Sequence, residues 1–172
     1  MTAPTPEPGA VRLRPLTTAD LDRVLELEPQ LFGAGAWSRG TYIEELAAAG
    51  RTYVAAVIEV DGAELLVGYA GVAAGEEAQV MTVGVAAGYR RRGVGTRLLD
   101  ALVRIAAEEG ARSMLLEVRA SDEGAQALYA RAGFVPIGRR RNYYLAERED
   151  AVVMRKVLRR GPGPVGNELG EA

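Results

Sequence analysis

Residues 90–119 read RRRGVGTRLLDALVRIAAEEGARSMLLEVR, and the fold is decided there. The centre is a helix over 93–109: Leu98, Leu99, Leu102, Val103 and Ala106 make one apolar stripe, and Gly110 closes it. The apolar run 113–118 that follows has the length of a buried strand. Ahead of the helix stands Arg90-Arg91-Arg92-Gly93-Val94-Gly95. Glycines at a helix start let an anion approach the backbone, where unpaired first-turn amides and the helix dipole hold phosphate. The arginines add charge-assisted contacts. The alternative reading is a solvated basic turn before an ordinary helix. Two other phosphate loops fail: the Walker pattern needs a Gly-Lys pair that is absent, and the dinucleotide fingerprint needs a glycine where Leu98 stands.

Upstream, 11–14 reads as a strand stopped by Pro15. Thr17 or Thr18 caps a helix through Leu27, with Leu21, Val24, Leu25 and Glu28 at helical spacing. Ser38 caps a second helix to Ala49. Runs 52–60 and 64–72 are strands joined by the hairpin signal Asp61-Gly62, and 79–85 is a third. Downstream, 123–132 is a helix closed by Gly133, and 134–141 and 151–157 are the last strands. This order predicts a mixed α/β domain over 11–158, its late strand–helix–strand units parallel. The Pro-rich lead 1–10 and the tail 159–172 are expected to be disordered.

With 172 residues, 48% of them apolar, the chain has the size of one domain that folds without disulfide or metal. It contains no cysteine and no histidine. That excludes disulfides, a thiol nucleophile, a Ser–His–Asp triad and the usual His or Cys metal sites. Proton transfer is left to Asp, Glu, Tyr, Lys156 (the one lysine), a terminus or water. A net charge of −2 and a pI near 5.4 weigh against a nucleic-acid binder, despite Arg139-Arg140-Arg141. No apolar run spans a membrane and no signal peptide is legible, so a cytoplasmic address without a membrane partner is expected.

Two further residues suggest chemistry. Glu117 ends an apolar strand, where a carboxylate is costly unless solvated, paired or working; an ion pair with a nearby arginine is its structural reading. Tyr129 lies on the next helix, so it can share a crevice with Glu117 at the strand ends, or it is a plain core aromatic.

The segments 90–95, Leu116-Glu117-Val118-Arg119-Ala120-Ser121 and Leu128-Tyr129 with Gly133-Phe134 resemble the GNAT superfamily of acetyl-CoA-dependent N-acetyltransferases. Trp37-Ser38, Arg140-Arg141-Asn142-Tyr143-Tyr144 and Arg148-Glu149-Asp150-Ala151 are similar to its RimI-type branch, bacterial enzymes that acetylate the N-terminal alanine of a small-subunit ribosomal protein. The resemblance implies a mixed, mostly antiparallel seven-stranded sheet flanked by about four helices. It implies acetyl-CoA as co-substrate, no metal, and direct attack in a ternary complex without an acyl-enzyme. Val83, Gly84 and Val85 correspond to the strand beside the pantetheine arm, whose amides would hold the oxyanion. Arg90, Arg91, Arg92, Gly93, Val94, Gly95 and Thr96 correspond to the pyrophosphate loop. Glu117 corresponds to the general base, Tyr129 to the general acid, and Trp37, Tyr143 and Tyr144 to aromatic grips on the peptide. Asp122 stands where the branch carries a cofactor-contacting asparagine, and Leu145 replaces the proline after the double tyrosine. The expected partner is the N-terminal segment of a ribosomal protein, met by a monomer. Transfer to a small amine or a lysine side chain, and silent binding of acyl-CoA, are the competing readings.

Overall fold

The structure, a computed structural model, describes residues 11–158. The expectations for 1–10 and 159–172 lie outside the described residues. Among those described, seven strands and four α-helices follow one another as β1 (Arg12–Pro15), α1 (Leu21–Phe32), α2 (Arg39–Ala47), β2 (Arg51–Val60), β3 (Ala63–Ala73), β4 (Glu77–Val85), α3 (Val94–Glu108), β5 (Ser113–Arg119), α4 (Glu123–Arg131), β6 (Val135–Tyr144) and β7 (Glu149–Val157). One sheet holds all the strands in the order β1-β2-β3-β4-β5-β7-β6. The β4–β5 pair is parallel and the other neighbours are antiparallel. The mixed, mostly antiparallel sheet with four helices is as the sequence implied.

Each face of the sheet carries its own core. Leu21, Val24 and Leu27 of α1 and Tyr42 of α2 pack on Tyr53, Ala55, Val57 and Tyr69. The α3 stripe, Leu98, Leu99, Leu102 and Ala106, packs with Tyr129 of α4 on Val54, Ala56 and Ile58. Strand β2 therefore points alternate residues into two cores, which is why 53–58 is buried without a break. Each fully buried leucine of the stripe contributes about 1.5–3 kcal/mol. Asp61 and Gly62 both take positive φ (51° and 80°), the geometry that the two-residue hairpin demands.

One expectation needs correction; another, the parallel strand–helix–strand units, holds with a strand inserted, since β5 and β6 both run antiparallel to the β7 between them. Helix α1 does not stop at Leu27 but runs through Pro29 to Phe32. Pro29 lies on the exposed side of the helix, while Leu27 and Glu28 anchor the buried side. The strand–helix–strand units also differ from one another. β4–α3–β5 makes a parallel pair of neighbours, but β7 inserts between β5 and β6. Burial explains the insertion. β7 buries Ala151, Val152 and Met154, whereas β6 is exposed almost throughout and suits an edge.

Candidate active site

The site begins where two parallel strands part. β4 and β5 are paired only at Glu77–Ser113, Ala78–Met114 and Gln79–Leu115. Beyond that point β4 stays with β3 to Val85, and β5 stays with β7 to Arg119. Gly71 faces Thr82 while Val72 faces Val80, so Met81 is an extra, bulged residue that bends β4 near the parting. From Val80 onward the β5-facing edge of β4 has no strand partner. A cavity of about 540 Å³ fills the opening. Residues 79–83 and 116–119 line it from the two strands, Glu28 and Trp37 from the α1–α2 side, Tyr129 from α4, and Arg140, Tyr143 and Tyr144 from β6.

Glu117 stands in the fork. Alternation on β5 buries Met114, Leu116 and Val118 and leaves Leu115, Glu117 and Arg119 half-buried on the other face. Gln79, just before the strands part, donates from Nε2 to Glu117 Oε2 at 2.7 Å. Among the described residues Oε1 meets only the Arg140 guanidinium, at 3.7 Å, too far for a hydrogen bond. The Glu117 side chain is 12% exposed and Arg140 is 58% exposed. Arg119, the nearest arginine in sequence, pairs instead with Glu149 (3.2 Å) and Glu147 (3.4 Å) and lies 4.0 Å over the Tyr144 ring.

Tyr129 lines the same cavity, its ring edge-on to Phe134 at 6.1 Å. Burial, then the charge of Asp122 and the neighbouring Tyr144, hold its phenol well above the ordinary value, so it keeps its proton. Asp122 also borders the cavity, but its Oδ1 accepts from the Ala125 amide at 2.9 Å and caps α4. The capping pattern, an acid just ahead of a helix, was present in the sequence beside the family correspondence.

Trp37, Tyr143 and Tyr144 all reach the cavity wall. The two tyrosines stack edge-on at 5.1 Å, at the end of β6 rather than in a free loop. The β6–β7 register slips between Arg140 and Tyr144, and Asn142 takes φ 48° in the slip, its N–H donating to Asp150 Oδ1 at 3.0 Å.

The arginine–glycine turn is not part of that cavity. Of the strand residues expected beside the cofactor, Val83 lines it, while Gly84 and Val85 continue β4 toward the turn. Gly93 caps α3 in the left-handed region at φ 80°, and Arg91 is also left-handed at 58°. The first helical bond is Arg97 N–H to Gly93 O at 3.0 Å, which leaves the amides of Val94, Gly95 and Thr96 at the head of the helix. Val94 buries its side chain, so only its backbone faces a ligand. A Cβ on Gly95 would come within 3.2 Å of Leu128, so this glycine sets the approach of α3 to α4. Arg90, Arg91 and Arg92 are exposed. One strand thus joins an anion-ready helix start to a cavity holding a half-buried carboxylate and a protonated phenol.

Against known proteins, the profile of the acetyltransferase (GNAT) family matches residues 21–134. This chain belongs to the GNAT acetyltransferase family. It is 41% identical over 162 residues to the N-alpha-acetyltransferase RimI of Mycobacterium tuberculosis, covering 91% of this chain and 96% of the relative. It is 43% identical over 147 residues to an uncharacterized Mycobacterium leprae protein, covering 82% of this chain but only 39% of that longer protein. The crystal structure of the ribosomal-protein-S18-alanine N-acetyltransferase from Escherichia coli superposes with a TM-score of 0.75 at 28% identity, over 94% of this chain and 99% of that one.

Two cavity residues escaped the sequence reading. Glu28 carried a signal, a carboxylate inside the apolar stripe of α1. Gln79 carried none, because its meeting with Glu117 depends on a parallel pairing between strands 38 positions apart.

Proposed function

We propose that residues 11–158 form one catalytic domain that transfers acetyl from acetyl-CoA to a protein's free N-terminal amine, with the N-terminal alanine of ribosomal protein S18 as the substrate to test first. The observation that carries this reading is Glu117 Oε1: a carboxylate oxygen without a hydrogen-bond donor, facing a cavity that a protonated phenol shares. An N-terminal amine, with a pKa of about 7.7–8.0, is mostly protonated near neutrality and must lose a proton before it attacks. Oε1 takes that proton, directly or through one water. As the new N–C bond forms and the C–S bond breaks, the nitrogen gives its second proton to water, while Tyr129 gives its proton to the departing sulfur and regains one from solvent.

Acetyl-CoA supplies the thioester. The residues fit it: exposed arginines and the amides of Val94, Gly95 and Thr96 suit a pyrophosphate, and the unpaired edge of β4 from Val80 suits an extended amide-bearing arm. Amides along that edge, Val83 to Val85 among them, are the donors for charge developing on the carbonyl oxygen. Asp122 can add only an acceptor, Oδ2, since Oδ1 is committed to the helix cap. Trp37, Tyr143 and Tyr144 flank the entrance and grip the first residues of the peptide. No step uses a metal, a membrane or a nucleic acid, and the reading is of a cytoplasmic monomer. Among the described residues no helix is long and apolar enough to cross a membrane.

Mass spectrometry after incubation with acetyl-CoA tests this. An Ala-Arg peptide with a free amino terminus should gain one acetyl group. The same peptide blocked at its terminus but carrying a lysine, and a small polyamine, should gain none. Acetylation of only the lysine or the polyamine would overturn the substrate assignment, and cofactor binding without transfer to any amine would overturn the enzymatic one.

A further inference from the structure

Glu28 is the most deeply buried carboxylate of the described chain, 2% exposed, and it lines the cavity opposite Glu117. Unlike Glu117, it has a donor on each oxygen. Oε1 accepts from the Tyr69 hydroxyl at 2.9 Å and also from the Tyr42 hydroxyl, and Oε2 accepts from the Trp37 amide at 2.9 Å. No cation pairs with it among the described residues. Three donors suffice to hold a buried carboxylate, but each of them comes from a different part of the fold. Trp37 belongs to the segment between α1 and α2, Tyr42 to α2, and Tyr69 to β3. The Trp37 and Tyr42 rings lie 5.3 Å apart, so the same group sets both the backbone and the packing of the Trp37 wall. On the other side the Tyr69 ring abuts β4: a Cβ on Gly84 would come within 3.1 Å of its Cζ and 3.3 Å of its Oη.

We infer that Glu28 is a positioning residue that fixes the acceptor wall at Trp37 against the donor strand β4, and so determines how tightly the peptide's first residue is held. The inference rests on the reading of the cavity as the acceptor site. A hydrogen-bonded strut across three elements costs little to keep once folded. Loss of its Trp37 bond frees a wall that otherwise has one position relative to Gly84. The consequence falls on peptide binding, because the hydrogen bonds of Glu28 run to Trp37, Tyr42 and Tyr69 and not to the arginine–glycine turn or the unpaired edge of β4.

Glu28→Met is the sharpest probe: it keeps the length of the side chain and gives the three donors no strong acceptor, whereas a Gln amide would accept from Trp37 through its oxygen and donate to both hydroxyl oxygens. Steady-state kinetics should show KM for the Ala-Arg peptide raised roughly tenfold, with KM for acetyl-CoA within about twofold of the wild-type value. Trp37 is the only tryptophan, so its emission reads the wall directly. It should shift to the red and quench more readily with acrylamide. Peptide and acetyl-CoA KM rising together, an unchanged peptide KM, or unchanged Trp37 emission would each overturn the inference. If Glu28→Met does not fold, Tyr69→Phe leaves two donors in place and should raise peptide KM by roughly threefold; a wild-type value there overturns it equally. A wild-type protein that acetylates no peptide would instead fail the functional reading, and the emission of Trp37 would still decide whether Glu28 holds the wall.

Discussion

Glu28 and Glu117 face one cavity from opposite sides, and the regions around them are built differently. The α1–α2 side surrounds Glu28 with two buried phenols and a backbone amide, and the Tyr42 ring sits edge-on to both Tyr53 and Tyr69 at 6.3 and 6.2 Å. On the far side Glu117 has one amide donor, Gln79 of β4, and an exposed guanidinium, Arg140 of β6, beyond hydrogen-bond distance. Ion pairs at the surface finish that wall. A carboxylate with donors on both oxygens holds shape, whereas one with an unoccupied oxygen can accept a proton from a ligand. The chemistry of the residue type is the same, and its neighbours decide between scaffold and base.

The largest effect expected is on turnover. Glu117→Gln should lower kcat by about a thousandfold, the scale of a lost general base, and leave acetyl-CoA affinity within about twofold. Equal losses in both would make Glu117 as structural as Glu28 and erase the contrast. Tyr129→Phe should fold normally and slow turnover by about a hundredfold. Because burial raises the phenol's pKa, the acid form persists as pH rises, and the wild-type rate should show no loss attributable to Tyr129 below about pH 10. Wild-type turnover in the phenylalanine variant would return Tyr129 to the core. On the α1–α2 side, Tyr42→Phe removes a donor from a buried carboxylate and should cost about 2 kcal/mol of stability in urea unfolding. A change within about 0.5 kcal/mol would show that Glu28 does not depend on its donors.

Much of this was legible in the sequence, for identifiable reasons. Glu117 stands out because a charge interrupts an apolar strand, and Gly93 and Gly95 because a helix start with arginines before it has few uses. Asp61-Gly62 dictated its own turn. What stayed hidden depends on contacts remote in the chain. The edge position of β6 follows from the relative burial of β6 and β7, which local pattern does not compare. The parting of β4 from β5 follows from a bulge at Met81, where the sequence shows only an ordinary apolar strand. Glu28 was visible as a carboxylate on an apolar face, yet its three donors come from three elements, and only tertiary structure brings them together. The extension of α1 past Leu27 stayed hidden because it depends on Pro29 falling on the exposed side of the helix.

The most direct test of the central claim is a structure of the ternary complex with coenzyme A and the Ala-Arg peptide. The account predicts the peptide's amine nitrogen within about 3 Å of Glu117 Oε1, or one water away, inside the fork between β4 and β5. An amine bound outside that fork, with Glu117 still facing only Gln79 and Arg140, would contradict it.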